Sequence, residues 1–497
     1  MPDDAPRTAE PETPLEEFRV AENPDDVADQ AFLTVEADTE LPPPALVKRG
    51  WVASTFESFG YRDFTLFWSG ALVSNVGSWM QTAALAIVVY GFDPAKASIN
   101  TGVVTGVSGL PVLFLAIPAG AIADRFDRRR LLIGIQVVLL FQAAALGLLY
   151  NSHILGPQQP LMSMVLVSLL GLVAGIFVAF QGPAFQSLLP DLVPRKSLMN
   201  GIALNSAQFQ SSRMLGPAIV AGFVLLGMGM GTVFYVNAAS FLFVIAALLA
   251  IRPRPAFDAG GQHSDAEAAD RKRGAQGHEG ALATLLAGVA YARENRVVGL
   301  LILSTALLTI LGFPYMTLLT AIIHTSFPAY TDAQVGREYS VIYAFNGLGA
   351  LIGALGVASL PAAVPRNRII PFALLAFAAF ITAFSLVHTV LWMVVLSMLA
   401  GAALMATNSL VLTSIQIVVP GFLRGRVMAL FIMSFMGIMP VSALLFGVLG
   451  QAIGPDTAVL LGGVLLLAWA VLLALKPSWL QMDPAHAPAA PPAGRPA

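Results

Sequence analysis

The chain has 497 residues, 57% of them apolar and 11% charged, with a formal net charge of −2. A soluble domain carries about 25% charged residues, so most of this chain belongs in lipid. The lack of cysteine excludes disulfides and thiol chemistry.

Residues 1–49 hold thirteen Asp/Glu against four Lys/Arg, many prolines and few large apolar residues. They read as a disordered, acidic cytoplasmic tail. No basic-then-apolar signal opens the chain, so the first span is expected to stay as an anchor. Trp51, Phe56, Phe59 and Phe64 then stand among Lys48, Arg49, Arg62 and Asp63. That mixture predicts a helix at the lipid surface ahead of the first span.

Twelve apolar segments follow, each long enough for the ~20 residues a membrane helix needs. They fall near 64–91, 99–122, 130–150, 161–189, 199–226, 231–251, 298–324, 339–361, 368–388, 390–414, 427–451 and 456–475. Most connections are short; Gly227 to Gly231 is an example. The polar stretch 252–297, with Arg271-Lys272-Arg273, divides the chain into six spans plus six. Within it Leu282, Leu285, Leu286 and Val289 share a helical face, which predicts an amphipathic surface helix. The expected fold class is all-α membrane protein. Its domains are a tail 1–49, a six-helix bundle 50–251, a cytoplasmic linker 252–297, a second bundle 298–476 and a Pro/Ala-rich tail 477–497.

Charge sets the expected orientation. With both termini in the cytoplasm of a plasma (inner) membrane protein, all but three of the 27 Lys/Arg lie on the cytoplasmic side. The exceptions are Lys96 and Arg337 in outer loops and Arg213 inside a span. Pro111, Pro118, Pro183, Pro217, Pro314 and Pro440 interrupt spans. Each removes a backbone donor and predicts a kink, static or flexing during a rocking motion.

Between the second and third spans, Asp124 to Arg130 packs four Arg and two Asp into seven residues. Such a cluster must be a turn in water. With Gly120, Asp124, Arg125, Arg128 and Arg129 it resembles the signature loop of the major facilitator superfamily. Other stretches narrow the resemblance. They are Asp63-Phe64 through Gln81, Leu189-Pro-Asp-Leu-Val-Pro-Arg195, Leu204-Asn-Ser206, Arg213-Met-Leu-Gly-Pro-Ala218 and Leu423-Arg-Gly-Arg426. Residues 60–476 are similar to the secretion-effector branch, that of enterobactin exporters and macrolide efflux proteins. The second half lacks the Asp-Arg signature after the eighth span, where only Arg366 and Arg368 remain. Ser212, Val220 and Ala221 stand where the antiporter motif has glycines. The resemblance implies two pseudo-symmetric six-helix bundles, and a cytoplasmic gate in which Asp124 meets a helix N-terminus of the other half while the arginines pair with carboxylates. A carboxylate gains roughly 0.3–1 kcal/mol at such an end. The same arginines also serve as topology determinants.

Arg213 is the sharpest single residue. A mid-membrane Arg costs at least ~2.5–3.5 kcal/mol, so it faces a cavity or a partner. All 29 Asp/Glu fall in tails, loops or span ends by these boundaries, leaving Arg213 without an obvious counter-ion. It meets an anionic or strongly hydrogen-bonding group of a substrate, or it is structural and held by amides such as Asn205 or Asn75. Asn75, Ser78, Trp79 and Thr82 share one side of the first span. Gln210, Tyr315, Thr317, Tyr343, Asn346, Thr407, Asn408 and Gln416 complete the polar set. The expected substrate-binding residues are Arg213, Asn75, Trp79, Gln210, Tyr315, Asn346 and Asn408. Interhelical hydrogen bonding is the alternative role for each amide or hydroxyl. His324 and His388 lie at outer span ends with no role assigned.

No ATP-binding motif, metal spacing or nucleophile elbow occurs, so neither cofactor, metal nor enzymatic activity is expected. The reading is a monomeric secondary active transporter that exports a bulky neutral or anionic small molecule, siderophore-like or a drug, by alternating access. Its partners are the small-molecule substrate and membrane lipids, with protons as the candidate coupling ion and no nucleic acid. The alternative is a non-transporting membrane sensor or assembly partner acting through the acidic tail, which deletion of residues 1–45 would separate from the first.

Overall fold

The computed structural model describes residues 56–123, 126–251, 281–361, 364 and 366–480. The described residues are helical and contain no strand. The helices are α1 (Arg62–Tyr90), α2 (Ala97–Ala123), α3 (Arg128–Asn151), α4 (Pro160–Leu188), α5 (Arg195–Leu225), α6 (Met230–Ala250), α7 (Ala281–Glu294), α8 (Arg296–Leu307), α9 (Pro314–Thr317), α10 (Leu319–Ser326), α11 (Asp332–Ala358), α12 (Arg366–Phe384), α13 (Val390–Val418), α14 (Gly421–Ile432), α15 (Met439–Ile453) and α16 (Pro455–Leu475). Among the described residues, ten helical stretches are long and apolar enough to cross a membrane. The two other expected spans are α5, diluted by its polar run Asn205–Arg213, and α12, apolar over the shorter Arg368–Phe384. Large apolar side chains such as Leu161, Phe243, Leu391 and Leu475 stay exposed, as lipid-facing helices require.

Local chemistry fixes the helix starts. The Asp127 carboxylate accepts the Arg130 N–H at 2.8 Å and caps α3. Asn295 caps α8 through the Val298 N–H at 3.1 Å. Thr331 and Gln334 form a capping box that starts α11 at Asp332, seven residues before the expected boundary. That shift corrects one expectation. Glu338 lies in the second turn of α11, buried to 8% exposure, with the Arg337 guanidinium 2.6 Å away. A buried carboxylate therefore does occur inside a helix of the second half.

The pairing of helices repeats. In the first half α1 packs on α5 and α6, α2 on α4, and α3 on α4 and α6. In the second, the α8–α10 segment packs on the α14–α15 segment and α16, α11 on α13, and α12 on α13 and α16. Each pairing has its counterpart six spans later, the pseudo-symmetry of two six-helix bundles that the resemblance implied. The halves meet through α2 with α15 and α5 with α11, themselves a symmetry-related pair. Gly102 and Gly447 bring α2 and α15 backbone to backbone: a Cβ at 447 would lie 2.8 Å from the Gly102 Cα.

The prolines do not act alike. α2 continues past Pro111 and Pro118, α4 past Pro183 and α5 past Pro217. Only Pro314 and Pro440, of those named, follow breaks, the π-helical stretches Leu308–Gly312 and Met433–Gly437. These two breaks face each other. Ser442 Oγ donates to the Ile310 carbonyl at 2.8 Å, and Thr309 Oγ1 donates to the Phe435 carbonyl at 3.3 Å.

Two expectations near the span ends change. Phe64 is fully buried and packs on Phe59, which in turn meets Trp68, so it belongs to the core rather than to a surface helix. Pro477–Leu480 forms a helical turn, with Leu480 buried and the Trp479 ring 4.7 Å from the Arg296 guanidinium, so the carboxyl-terminal tail cannot begin at 477. Leu286 on the linker helix α7 is exposed, while Gly288 sits against the Arg426 carbonyl. Residues 1–49 and most of the linker and carboxyl-terminal tail lie outside the described residues.

Candidate functional site

Arg213 sits halfway along α5 at 5% exposure. Its Nη2 donates to Asn346 Oδ1 on α11 at 3.0 Å, a bond between the two halves. Gly347 makes that reach possible. A Cβ there would stand 2.7 Å from the Met214 Cα, so α5 and α11 touch along their backbones. Asn346 is fully buried, and its amide donates to the Tyr315 hydroxyl on α9 and, at 2.9 Å, to the Ser397 carbonyl on α13. Both hydrogens of the amide are thus committed, and its oxygen must point at Arg213. A hydrogen bond to a charged group is worth about 1.5–3 kcal/mol.

Above the guanidinium lies Trp79 of α1, its ring centroid 5.8 Å from Cζ, within cation–π range. Trp79 contacts Phe209 at 5.8 Å and Tyr343 at 6.3 Å. The result is a cation seated on an aromatic face and held by neutral groups, the Asn346 amide and the Tyr343 hydroxyl. Among the described residues no carboxylate forms an ion pair with it, and its Nε is buried without a hydrogen-bond partner. A buried unpaired cation is costly, and an anionic group entering the site would relieve the cost.

The expected residues separate into two groups. Arg213, Trp79, Tyr315 and Asn346 come together. Tyr315 and Asn346 are fully buried, so they position the guanidinium rather than line an open chamber. Asn75 lies apart and donates to Gln208 Oε1 at 3.2 Å. Arg213 bonds Asn346 rather than Asn75 or Asn205. Gln210 is half-buried on α5. Asn408 is half-buried on α13, and its Oδ1 is enclosed with no partner. Neither belongs to the Arg213 cluster. Sequence reasoning passed over Phe209, Gln208 and the Ser397 carbonyl. Gln208 is one turn before Ser212 and could have been found by helical spacing; the Ser397 contact comes from a helix fifty residues beyond Asn346 and left no local trace.

Of the signature loop, Asp124 and Arg125 lie outside the described residues, and Gly120 falls in the last turn of α2. Arg128 donates to the Ser187 carbonyl at 2.9 Å, at the end of α4, and to Asp191 Oδ2 at 3.0 Å, in the short helical turn that follows it. Arg129 donates to the Leu248 and Leu249 carbonyls at the end of α6. A guanidinium on helix-terminal carbonyls meets the negative end of the helix dipole. These two arginines therefore tie α3 to α4 and α6 within the first half.

Residues 53–489 match the family described as transmembrane secretion effector. The chain belongs to that family. It is a multi-pass membrane transporter of the major facilitator type. It is 26% identical over 191 residues to an uncharacterized MFS-type transporter of Bacillus subtilis, covering 37% of this chain and 41% of that one. It is 30% identical over 186 residues to the staphyloferrin A transporter of Staphylococcus aureus, covering 37% and 44%. These matches span less than half the length of either relative. A longer match, 25% identical over 365 residues, covers 72% of this chain and 78% of the enterobactin exporter of Escherichia coli. Among solved structures, a peptide transporter in complex with sulfate superposes with a TM-score of 0.60 at 16% identity, covering 87% of this chain and 96% of that one. A bacterial homologue of the lysosomal transporter Spinster, in an inward-facing unoccupied conformation, gives 0.55 at 17% identity, covering 83% and 96%. At such identities the likeness speaks for the fold of this secretion-effector transporter.

Proposed function

We propose that this transporter exports a bulky neutral or anionic small molecule, siderophore-like or a drug, by alternating access between the bundles 50–251 and 298–476. The observation that carries the reading is Arg213. It is a mid-bundle cation bonded to Asn346 of the opposite half, stacked on Trp79 and without a carboxylate among the described residues. The names of the relatives, exporter of enterobactin and transporter of staphyloferrin A, agree with a siderophore-like ligand. The end that carries Arg128–Arg130 faces the cytoplasm of a plasma membrane protein, with both termini on that side. Among the described residues, Gly102 with Gly447, Arg213 with Asn346 and Tyr90 with His324 join the halves at mid-depth and at the Tyr90 end, which supports entry of substrate from the basic end. The signature loop moves with the first half, and Asp124 meets the second half when the basic end closes. The chain acts as a monomer in lipid.

The test is secretion of an anionic siderophore by a deletion host carrying the transporter, with a lipophilic cation as the contrast. Arg213→Ala is expected to lower siderophore export about tenfold or more at equal protein level, because a charge-assisted contact is lost. Arg213→Lys should keep part of it. Full export by the Ala variant would end the substrate-contact role.

A further inference from the structure

His324 and His388 had no role in the sequence, yet both have partners. At the Tyr90 end, the Tyr90 hydroxyl of α1 lies 2.9 Å from His324 Nδ1 of α10. The rings meet edge to face at 5.5 Å. Asp332, the first residue of α11, acts on the same phenolic hydroxyl electrostatically. Tyr90 belongs to the first half, and His324 and Asp332 to the second. Tyr90 is 1% exposed, His324 is half-buried and Asp332 is exposed. The cluster thus has a buried centre between the halves and a rim in contact with solvent.

We propose that Tyr90, His324 and Asp332 form a proton-binding site, in which protonation of His324 favours closure of the Tyr90 end. Imidazole is the side chain whose charge ordinarily changes between about pH 5 and pH 8. A neutral ring with bare Nδ1 competes with Asp332 for the single phenolic hydrogen. A proton taken from solvent makes Nδ1 a donor. The imidazolium then gives its hydrogen to the phenolic oxygen, and the phenol gives its own to Asp332. Every group in the chain is satisfied, and the new positive charge faces a carboxylate. The chain crosses from one half to the other, so it exists only while this end is shut. Closure therefore takes up a proton, and opening releases it to the same side.

Other charges surround the site. From α16, Asp456 accepts the Thr325 hydroxyl at 2.8 Å. From the loop after α12, His388 Nδ1 meets the Ser326 hydroxyl at 3.2 Å. Ahead of α2, Asp93 and Lys96 pair with each other at 3.2 Å. On α11, Arg337 and Glu338 pair at 2.6 Å. Of these, His388 is the competing imidazole, and the test must exclude it.

The proposal rests on the alternating-access reading, because a bond between halves reports on opening only if this end opens. The chain has no cysteine, so spin labels can be placed without background. Ser152→Cys and Leu386→Cys are exposed positions on opposite halves at the Tyr90 end. The distance between them is measured in purified full-length protein in lipid nanodiscs, at about pH 5.5 and about pH 8. The ratio of short to long distances should rise about threefold or more on acidification. His324→Gln, which keeps a hydrogen-bonding side chain but does not titrate, should abolish that rise while eluting as folded protein. Tyr90→Phe should favour the long distance at both pH values. His388→Gln should behave as the parent. A pH response that survives His324→Gln, or vanishes in His388→Gln instead, overturns the proton site alone. Opening that ignores pH does the same. A single short distance in the parent and in Tyr90→Phe at both pH values overturns both this site and alternating access at this end.

Discussion

At the scale of the residue, one amide decides what Arg213 can do. Asn346 spends both hydrogens on Tyr315 and Ser397 and offers only a neutral oxygen to the guanidinium. The positive charge is oriented but not neutralised. Replacing that amide with a carboxylate would supply the missing counter-ion in place. Asn346→Asp is therefore expected to lower the apparent affinity for an anionic substrate about tenfold or more, since a resident anion competes for the same charge. With the amide donor gone, the Tyr315 hydroxyl can turn to donate to the new carboxylate, and the ion pair with Arg213 offsets the lost donor to Ser397, so the variant's melting temperature should stay within a few degrees of the parent. Binding and thermal unfolding measured on the same preparation check both halves of the expectation. Unchanged anion binding by a stable Asn346→Asp variant would make Arg213 structural. The importance of Arg213 was legible in the sequence, because a cation in an apolar span has no cheap resting place. Its partner was not, because Asn346 is 133 residues away and the choice among amides depends on which helices cross.

At the scale of the element, the two broken helices explain each other. Proline at 314 has no N–H, so the Ile310 carbonyl loses its usual donor. Ser442 on the facing helix supplies one at 2.8 Å. Where Met433–Gly437 winds as a π-helix, the Phe435 carbonyl would look five residues on, to Pro440, which again lacks a donor. Thr309 supplies it at 3.3 Å. Each break is thus satisfied by a hydroxyl of the other interrupted helix, Ser442 two residues after Pro440 and Thr309 within Leu308–Gly312. Ser442→Ala is expected to cost about 0.5–1.5 kcal/mol, the range of interhelical bonds in membranes. Pro314→Ala should be mildly destabilising or neutral alone, yet recover most of the loss in the Ser442→Ala background, because the restored N–H reaches Ile310. Thermal or denaturant unfolding of the four variants in a double-mutant cycle measures this coupling, and strictly additive losses would refute it. Span positions were legible from apolar length alone. The breaks were not: six interrupting prolines look alike in sequence, and only packing against a second interrupted helix distinguishes 314 and 440. The start of α11 was legible and was misplaced. Thr331 and Gln334 have the capping-box spacing, but hydropathy drew the boundary later and pushed Glu338 out of the helix.

At the scale of the whole molecule, charge and packing mark the same axis. The first two turns of α3, α5, α12 and α14 carry Arg128–Arg130, Arg195–Lys196, Arg366, Arg368, Arg424 and Arg426, whereas the opposite ends carry Lys96 and Arg337. Those two are each paired with an adjacent carboxylate, so the Tyr90 end holds almost no free positive charge. Translocating the basic end would mean moving most of the arginines across the bilayer, which the positive-inside bias disfavours. The cysteine-free chain turns this into a direct measurement. Ser152 and Ser359 are exposed, Ser152 following α3 at the Tyr90 end and Ser359 following α11 at the basic end. In intact cells, a membrane-impermeant maleimide should label Ser152→Cys and leave Ser359→Cys unmodified until the membrane is permeabilised. The reverse pattern would invert the transporter. It would also place the Tyr90–His324 contact in the cytoplasm and turn the inferred direction of export into uptake.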